Sequence, residues 1–349
     1  MLPLFSCFIL LFLSSSPYIH ARITPTYTVN SKNYRYTWHE FEKFQDVTKG
    51  TFIDGISQLK KYFNRFGYLM AEEMNATTDI FDANLENAIT RYQSKLGLPI
   101  TGKLDSDTLS EIMSPRCGVP DKLPEKLGAM QRFEYFPDRP RWDRSMPMTL
   151  TYAFSPSNLI KSLSMQDIRE VFKRAFVHWA AVIPVTFVET NDYGFADIKI
   201  GFYNGDHGDG EAFDGVLGVL AHAFSPESGR FHLDAAETWA VDFKTEKSDV
   251  AVDLESVAVH EIGHLLGLAH TSVKDAVMYP SLKPREKKLD LKIDDIKGVQ
   301  ALYGSNPNFN FQAFSESDIS SNDAVHFRIR IKSEIWFILQ LLVVFVLWL

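Results

Sequence analysis

Residues 260–270 read HEIGHLLGLAH, the stretch from which the fold and chemistry of this chain are best predicted. Side chains four residues apart share one face of a helix, so His260 and His264 can place two imidazoles on one metal ion. Glu261 would then lie beside that ion. A bare HExxH also occurs in ordinary amphipathic helices, where both histidines are surface or core groups and the glutamate is solvated.

The residues that follow extend this pattern beyond chance. Gly267 can adopt positive φ and end the helix abruptly, so that the chain turns back and delivers His270 as a third ligand. Three neutral imidazoles leave the fourth tetrahedral position of a zinc ion to water, whose pKa falls to about 7. Glu261 can take the proton of that water and pass it to a leaving amine, so the segment predicts peptide hydrolysis.

A methionine turn at residues 277–280, VMYP, completes the metzincin signature. With Thr271 after the third histidine, the chain resembles the matrixins, the matrix metalloproteinases. The resemblance implies an α+β fold, in which residues 136–304 form a catalytic domain with a twisted, mixed five-stranded sheet and three helices. A small three-helix propeptide domain would precede it. The resemblance also makes Met278 the apolar floor under the metal, with an ordinary core methionine as the alternative.

Length and composition allow two globular domains. The chain has 349 residues, of which 45% are hydrophobic, enough to furnish a core for each domain. The formal net charge is −8 and the sequence has no long basic block. Both features argue against nucleic acid as a partner.

Both ends of the chain carry apparent targeting signals. Residues 1–21 combine a short apolar run with a cleavage site after Ala21, which predicts a signal peptide, with a buried core helix as the alternative. The apolar tail at residues 335–349 is shorter than the roughly twenty residues that span a bilayer as a helix. Small residues around Asn322 and the polar spacer within residues 305–334 precede it, which is the layout of a GPI-attachment signal. A short membrane span is the alternative.

These signals predict a protein of the secretory pathway, held by a lipid anchor at the outer face of the cell membrane. An N-glycosylation sequon begins at Asn75 and agrees with that route. Cys7 lies in the predicted signal peptide, so Cys117 remains the single cysteine and has no internal disulfide partner. It is then a free thiol, an intermolecular bridge or a metal ligand; a small buried hydrophobe is the usual alternative.

Residues 51–121 are predicted to form three short helices, after a loosely ordered lead-in at residues 22–50. Apolar residues recur at helical spacing from Ile56 and again from Leu85, and residues 106–113 form the third helix. The stretch LGLPITGKLDSDT in this segment resembles the matrixin propeptide, which is itself similar to bacterial peptidoglycan-binding modules. Taken alone, it would support a wall-binding function.

Directly after these helices, PRCGVPD matches the matrixin cysteine switch at every position. A thiolate is an excellent zinc ligand, so Cys117 can fill the position that the catalytic water needs and silence the proenzyme. The resemblance implies that Arg116 and Asp121 pair and hold the thiol toward the metal. Residues 122–135 form a polar connector suited to cleavage by an activating protease.

The catalytic region alternates predicted strands and helices. The patterns predict strands at 148–154, 185–189 and 196–202, an edge strand at 216–224, and helices at 164–182, 254–266 and 293–303. An extended peptide can pair with the edge strand by strand addition. Residues 207–237 have little other periodicity, and a loop of that length needs something to hold it.

Bound metal ions are predicted to stabilise this loop. Three imidazoles and one carboxylate suit a closed structural zinc site and resemble that of the matrixins: His207, Asp209, His222 and His232. Taken singly, each histidine is more often a surface residue. Hard oxygen donors resemble the calcium site of the family, namely the carboxylates of Asp214, Asp234 and Glu237 and the carbonyls of Gly215, Leu217 and Val219. A solvated acidic face is the alternative.

The sequence therefore predicts a zinc-dependent endopeptidase of extracellular proteins or peptides, made as a latent zymogen. It is most similar to plant matrixins that lack a haemopexin domain. One alternative is another metzincin branch, although these usually have a different residue after the third histidine. The other is a cell-surface or wall-associated protein that retains a dead protease scaffold; the intact Glu261 and its three neighbouring ligands argue against it.

Overall fold

A computed structural model describes residues 38–73, 78–121 and 133–310. The predicted signal peptide, the sequon at Asn75, most of the connector, and Asn322 with the apolar tail lie outside these residues. Within the described part of the chain, no helix is long and apolar enough to cross a membrane.

The N-terminal region, here called the prodomain, contains three α-helices packed around an aromatic core. They are α1 (Ile56–Arg65), α2 (Ala83–Lys95) and α3 (Ser106–Ile112). Asp82 and Asp105 cap α2 and α3, each accepting a hydrogen bond from the backbone N–H three residues later. The apolar residues at helical spacing are buried between these helices, as their pattern indicates.

The expectation of a loosely ordered lead-in is wrong for its described part. Residues His39–Phe44 form a 3₁₀-helix. Three aromatic residues spaced three apart are buried in the prodomain core: Trp38, Phe41 and Phe44. Because a 3₁₀-helix has three residues per turn, this spacing places all three rings on one face. The α-helical period of 3.6 does not detect that pattern.

The catalytic region is a mixed sheet with three helices, as predicted. In chain order the remaining elements are β1 (Arg116–Cys117), β2 (Met148–Phe154), α4 (Met165–Ala180), β3 (Val185–Glu189), β4 (Ile198–Tyr203), β5 (Val219–Ala223), β6 (Arg230–Asp234), β7 (Trp239–Ala240), β8 (Val252–Asp253), α5 (Leu254–Leu265) and α6 (Ile293–Tyr303). The main sheet has the order β1-β5-β6-β4-β2-β3. Only the β5–β6 pair is antiparallel, and β7 pairs with β8 separately.

Residues 207–237 are more regular than the sequence indicated. Besides the expected edge strand β5, this segment contains β6, which lies between β5 and β4. Four of its five residues are buried, including His232 and Asp234. A strand buried on both faces shows no alternation of apolar and polar residues, and two polar residues in buried positions obscure it further.

The prodomain contributes the sixth strand of the sheet. β1 lies parallel to β5, with Gly118 N donating to Ala221 O at 2.8 Å. On its other side, Cys117 N donates to Pro280 O at 2.9 Å. The switch segment therefore lies between the edge strand and the chain that follows the methionine turn. Five strands belong to the catalytic region itself.

Helix α5 is enclosed by the catalytic core. All 12 of its residues are buried, and the indole Nε1 of Trp179 in α4 donates to Val259 O at 2.8 Å. Asp253 caps the helix by accepting from Ser256 N at 3.0 Å. The polar residues of HExxH thus lie in the domain interior, where each polar side chain needs a partner.

Candidate active site and metal centres

The three histidines predicted as zinc ligands converge at the end of α5. Gly267 adopts a φ of 100° just beyond the helix, and the chain turns back as expected. The Nε2 atom of His270 lies 3.2 Å from that of His260 and 3.1 Å from that of His264. The Sγ of Cys117 lies 3.4 Å from Nε2 of His264. All four donor atoms are within 4.8 Å of one another.

Hydrogen bonds at the other ring nitrogens define the tautomers of the two helix histidines. Nδ1 of His260 donates to Val277 O at 2.7 Å, and Nδ1 of His264 donates to Leu268 O at 2.8 Å. A carbonyl only accepts, so each Nε2 carries a lone pair. Burial lowers the pKa of both imidazoles well below the usual range. Neutral nitrogens this close repel each other unless a cation lies between them.

This donor set fits zinc. Zinc–imidazole bonds of about 2.0–2.1 Å in a tetrahedron separate neighbouring nitrogens by roughly 3.3 Å, and the observed separations are 3.1 and 3.2 Å. Burial raises the pKa of the Cys117 thiol well above its usual range, and the charge of Glu261 adds to the shift. A thiol at this depth needs a bound cation to become a thiolate.

Glu261 is fully buried, and neither of its carboxylate oxygens accepts a hydrogen bond of normal geometry in the described part of the chain, although the Cys117 side chain and the Ala223 backbone lie near enough to lower its pKa in part. Burial raises its pKa to about 8. Beside it is a cavity of about 20 Å³, enough for one water molecule. Cys117, Pro280 and Leu282 are among its lining residues. A fully buried carboxylate with so little hydrogen bonding is costly, and such groups concentrate at functional sites.

The structure brings Arg116 and Asp121 together. Nη2 of Arg116 donates to Oδ2 of Asp121 at 2.7 Å, and both side chains are fully buried. The guanidinium also lies 3.8 Å from the ring centre of Phe66, a cation–π contact. Burial opposes ionisation of Asp121, but the charges and hydrogen bonds of Arg116 and His270 together outweigh it and hold the pKa well below the usual range. Sequence reasoning missed Phe66, which was one apolar residue among many.

The methionine turn is fastened to α5 and α6. Met278 is buried, and its sulfur packs so closely on Gly263 that a Cβ there would overlap it. Asp295 in α6 accepts from Val277 N at 2.9 Å and from Met278 N at 3.0 Å. Burial raises the pKa of Asp295 to about 6. Sequence reasoning missed Asp295, because an acidic residue in the first turn of a helix is common.

Comparisons with known proteins agree with this geometry. Residues 141–304 match the family Matrixin, and residues 54–112 match the putative peptidoglycan binding domain. Metalloendoproteinase 4-MMP of Arabidopsis thaliana is 60% identical over 284 residues, which cover 80% of this chain and 82% of that protein. The chain belongs to the matrixin family.

Other matrixins support the same assignment. Metalloendoproteinase 1-MMP of Arabidopsis thaliana is 52% identical over 81% of this chain and 78% of its own length. Human matrix metalloproteinase-20 is 38% identical over 70% of this chain and 47% of its own length. The protein is therefore a matrixin zinc metalloendoproteinase, and matrixins are proteins of the secretory pathway. The predicted family, fold class and enzyme class are confirmed.

A second ligand cluster of this matrixin surrounds one carboxylate oxygen. Oδ2 of Asp209 lies 2.9 Å from Nε2 of His207, and 2.8 Å from both Nε2 of His222 and Nδ1 of His232. Burial lowers the pKa of His222 and His232 to about 4, so both rings are neutral at neutral pH. Three imidazole nitrogens and one carboxylate form a closed set that fits a structural zinc ion.

Three carboxylates adjoin this cluster, of which Asp234 and Glu237 are buried and Asp214 is half-buried. Each accepts a hydrogen bond from the loop backbone: Asp214 from Val219 at 2.7 Å, Asp234 from Gly215 at 3.1 Å, and Glu237 from Leu217 at 2.7 Å. Burial raises all three pKa values, that of Asp234 to about 6, and neighbouring carboxylates add to the rise for Asp234 and Glu237. The six residues predicted for calcium are thus brought to one place.

The contact between Gly263 and Met278 can be tested by Gly263→Ala. Alanine favours a helix by about 1 kcal/mol over glycine, but its methyl group would displace the methionine sulfur, and overpacking costs about 1–3 kcal/mol. We expect a net loss in the free energy of unfolding, measured in urea. In the control Gly194→Ala the added methyl meets only Asp192 at 3.5 Å. Equal stability of both variants would contradict the close contact.

Proposed function

We propose that this matrixin is a cell-surface endopeptidase made as a cysteine-switch zymogen, which hydrolyses peptide bonds of extracellular proteins. One observation carries the proposal. The Sγ of Cys117 completes a buried four-donor set with three histidines, next to the fully buried carboxylate of Glu261. The set suits a metal whose open position is filled by a thiol in the latent form.

The prodomain blocks the site in two ways. Cys117 takes the ligand position needed by water, and β1 pairs with the edge strand β5. A substrate peptide entering by strand addition needs that same edge. Removing the prodomain would therefore free a ligand position and a row of backbone hydrogen-bonding groups together.

In the active form, a zinc ion held by the three imidazoles would supply an activated water near neutral pH and polarise the scissile carbonyl. Glu261 accepts a proton from the attacking water and returns it to the leaving amine nitrogen. β5 holds the substrate backbone extended, and Met278 supports α5 from below the ligands. The carbonyl hydrogen bonds of His260 and His264 keep both Nε2 atoms free for the metal.

Glu261→Ala tests the catalytic role of the carboxylate. In the activated protein we expect hydrolysis of an unfolded protein substrate to fall by about 10²–10⁴-fold, the usual contribution of general acid–base catalysis. The fold and zinc content should be retained, as checked by circular dichroism and metal analysis. Glu170→Gln, an exposed change on α4, should hydrolyse normally. Undiminished hydrolysis by Glu261→Ala would rule out this mechanism.

Cys117→Ser tests latency. A serine hydroxyl is a far weaker zinc ligand than a thiolate, so the full-length protein should hydrolyse substrate or process itself without an added activator. Gel analysis and a fluorogenic peptide would measure both. Cys7→Ser changes only the other cysteine of the chain and should leave latency intact. A Cys117→Ser zymogen that stays fully latent would contradict the switch.

The proposal includes a structural zinc at His207, Asp209, His222 and His232 and a calcium ion at the adjacent acidic loop. Three close carboxylates that raise one another's pKa support a cation, because a divalent ion removes their repulsion. Gly215 and Leu217 both have positive φ, 95° and 59°, which turns the loop backbone back on itself. The carbonyls of Gly215, Leu217 and Val219 complete the proposed oxygen set.

Glu237→Gln tests the calcium site. An ion that binds only the folded state at a hundred times its Kd adds about 2.7 kcal/mol, or roughly 5–10 °C in Tm. We expect calcium to raise the Tm of the wild type in this way and to have little effect on Glu237→Gln. Asp249→Asn removes an exposed carboxylate elsewhere in the catalytic region and should keep the calcium response. Equal responses in all three proteins would reject the site.

The surface location remains part of the proposal and rests on the sequence alone. Its supports are the predicted signal peptide, the sequon at Asn75, and the GPI-attachment layout, in which small residues around Asn322 are followed by a polar spacer and the apolar tail. Phosphatidylinositol-specific phospholipase should release the protein from membranes. Retention in the membrane would favour a spanning tail instead.

A further inference from the structure

The three zinc-ligand histidines differ in the acceptor that each Nδ1 contacts. Those of His260 and His264 are backbone carbonyls of the catalytic region, Val277 and Leu268. Nδ1 of His270 instead lies 2.5 Å from Oδ1 of Asp121, which belongs to the prodomain switch. One ligand thus takes its orienting partner from a segment 149 residues away in the chain.

Asp121 is held so that this oxygen points at the imidazole. Its other oxygen, Oδ2, accepts from Nη2 of Arg116 and from the hydroxyl of Tyr68, both at 2.7 Å. Its backbone N–H donates to Phe66 O at 3.0 Å. Asp121 and His270 are each about 1% exposed, so water does not compete for the contact.

A second prodomain contact reaches the same ligand. The buried Nζ of Lys95 at the end of α2 donates to the carbonyl oxygen of His270 at 3.3 Å. Lys95 also forms an ion pair with Glu134, whose carbonyl accepts from Ala269 N at 2.9 Å. The prodomain therefore contacts both the side chain and the backbone of His270. In contrast, the Nδ1 atoms of His260 and His264 contact carbonyls of the catalytic region.

We propose that Asp121 is a positioning residue for the third zinc ligand, and that it acts only while the prodomain is in place. This inference rests on the proposed zymogen function. When the Asp121 carboxylate accepts a hydrogen bond from Nδ1–H of His270, the Nε2 lone pair of His270 points to the metal and the electron density of the ring increases. Release of the prodomain would remove this carboxylate together with the thiol. Activation then changes how one ligand is held, besides opening the fourth position.

The wild-type zymogen provides the first test. In the zinc-loaded, ¹⁵N-histidine-labelled protein, buried Nδ1–H groups exchange slowly and are visible by NMR. A carboxylate is a stronger acceptor than an amide carbonyl, so the His270 proton should resonate downfield of those of His260 and His264. A His270 resonance at or upfield of the other two would overturn the proposal without requiring any variant.

The second test compares Asp121→Asn with Tyr68→Phe in the full-length zymogen. The Asp121→Asn change removes the charge facing His270, whereas Tyr68→Phe removes one hydrogen bond to Asp121 and keeps its carboxylate. We expect Asp121→Asn to shift the His270 signal upfield and leave those of His260 and His264 in place. Shifts of all three signals would indicate a general structural change and count against a positioning role.

Zinc release to an excess of chelator gives a second readout. Loss of a carboxylate partner typically costs about 10–100-fold in metal affinity, so one zinc of the Asp121→Asn protein should leave about 10–100 times faster than in the wild type. The second zinc, held by the Asp209 cluster, serves as an internal control. Equal release from Asp121→Asn and Tyr68→Phe would reject the inference. None of these readouts depends on hydrolysis. Equal zinc release would therefore reject only this inference, whereas undiminished hydrolysis by the Glu261→Ala variant would reject the proposed function.

Discussion

The arrangement of this protein depends on an electrostatic constraint at the end of α5. Three neutral imidazole nitrogens and a thiol point at one another inside the catalytic core, where like dipoles and lone pairs are not screened by water. A cation satisfies all four donors at once. The abrupt end of the helix at Gly267, the methionine turn held by Asp295, and the carbonyls facing His260 and His264 all keep these donors converged.

The prodomain supplies the fourth of these donors, Cys117. Its switch segment is a strand of the catalytic sheet, so backbone pairing positions Cys117 and the buried Arg116–Asp121 pair holds the turn that follows. Breaking a buried ion pair by removing one partner is strongly destabilising. The hydrophobic core of the prodomain also includes Phe213 and Tyr279 of the catalytic region. The same continuous interface therefore places the thiol at the histidines and attaches the prodomain to the catalytic region.

The segment at residues 207–237 follows a different physical rule. Its carboxylates and imidazoles lie close together and are mostly buried, so we expect its order to depend on charge compensation as well as on apolar packing. This explains why the loop carries little hydrophobic periodicity although it borders the cleft. The proposed structural ions would also fix the position of the edge strand β5, to which the substrate would bind, because His222 lies in that strand.

Features that depend on neighbours along the chain could be predicted from the sequence. The spacing of His260 and His264, the stop at Gly267 and the helices of the prodomain all follow from local backbone geometry. Other features required the folded chain. Three of them depend on packing between distant segments: β6, the hydrogen bonds of Asp295 to the methionine turn, and the contact of Asp121 with His270. The fourth, the 3₁₀-helix at residues 39–44, has an unusual helical period. Sequence spacing does not encode the packing contacts, because they arise only when distant segments are buried against each other. The aromatic spacing of the 3₁₀-helix is present in the sequence but does not match the α-helical period.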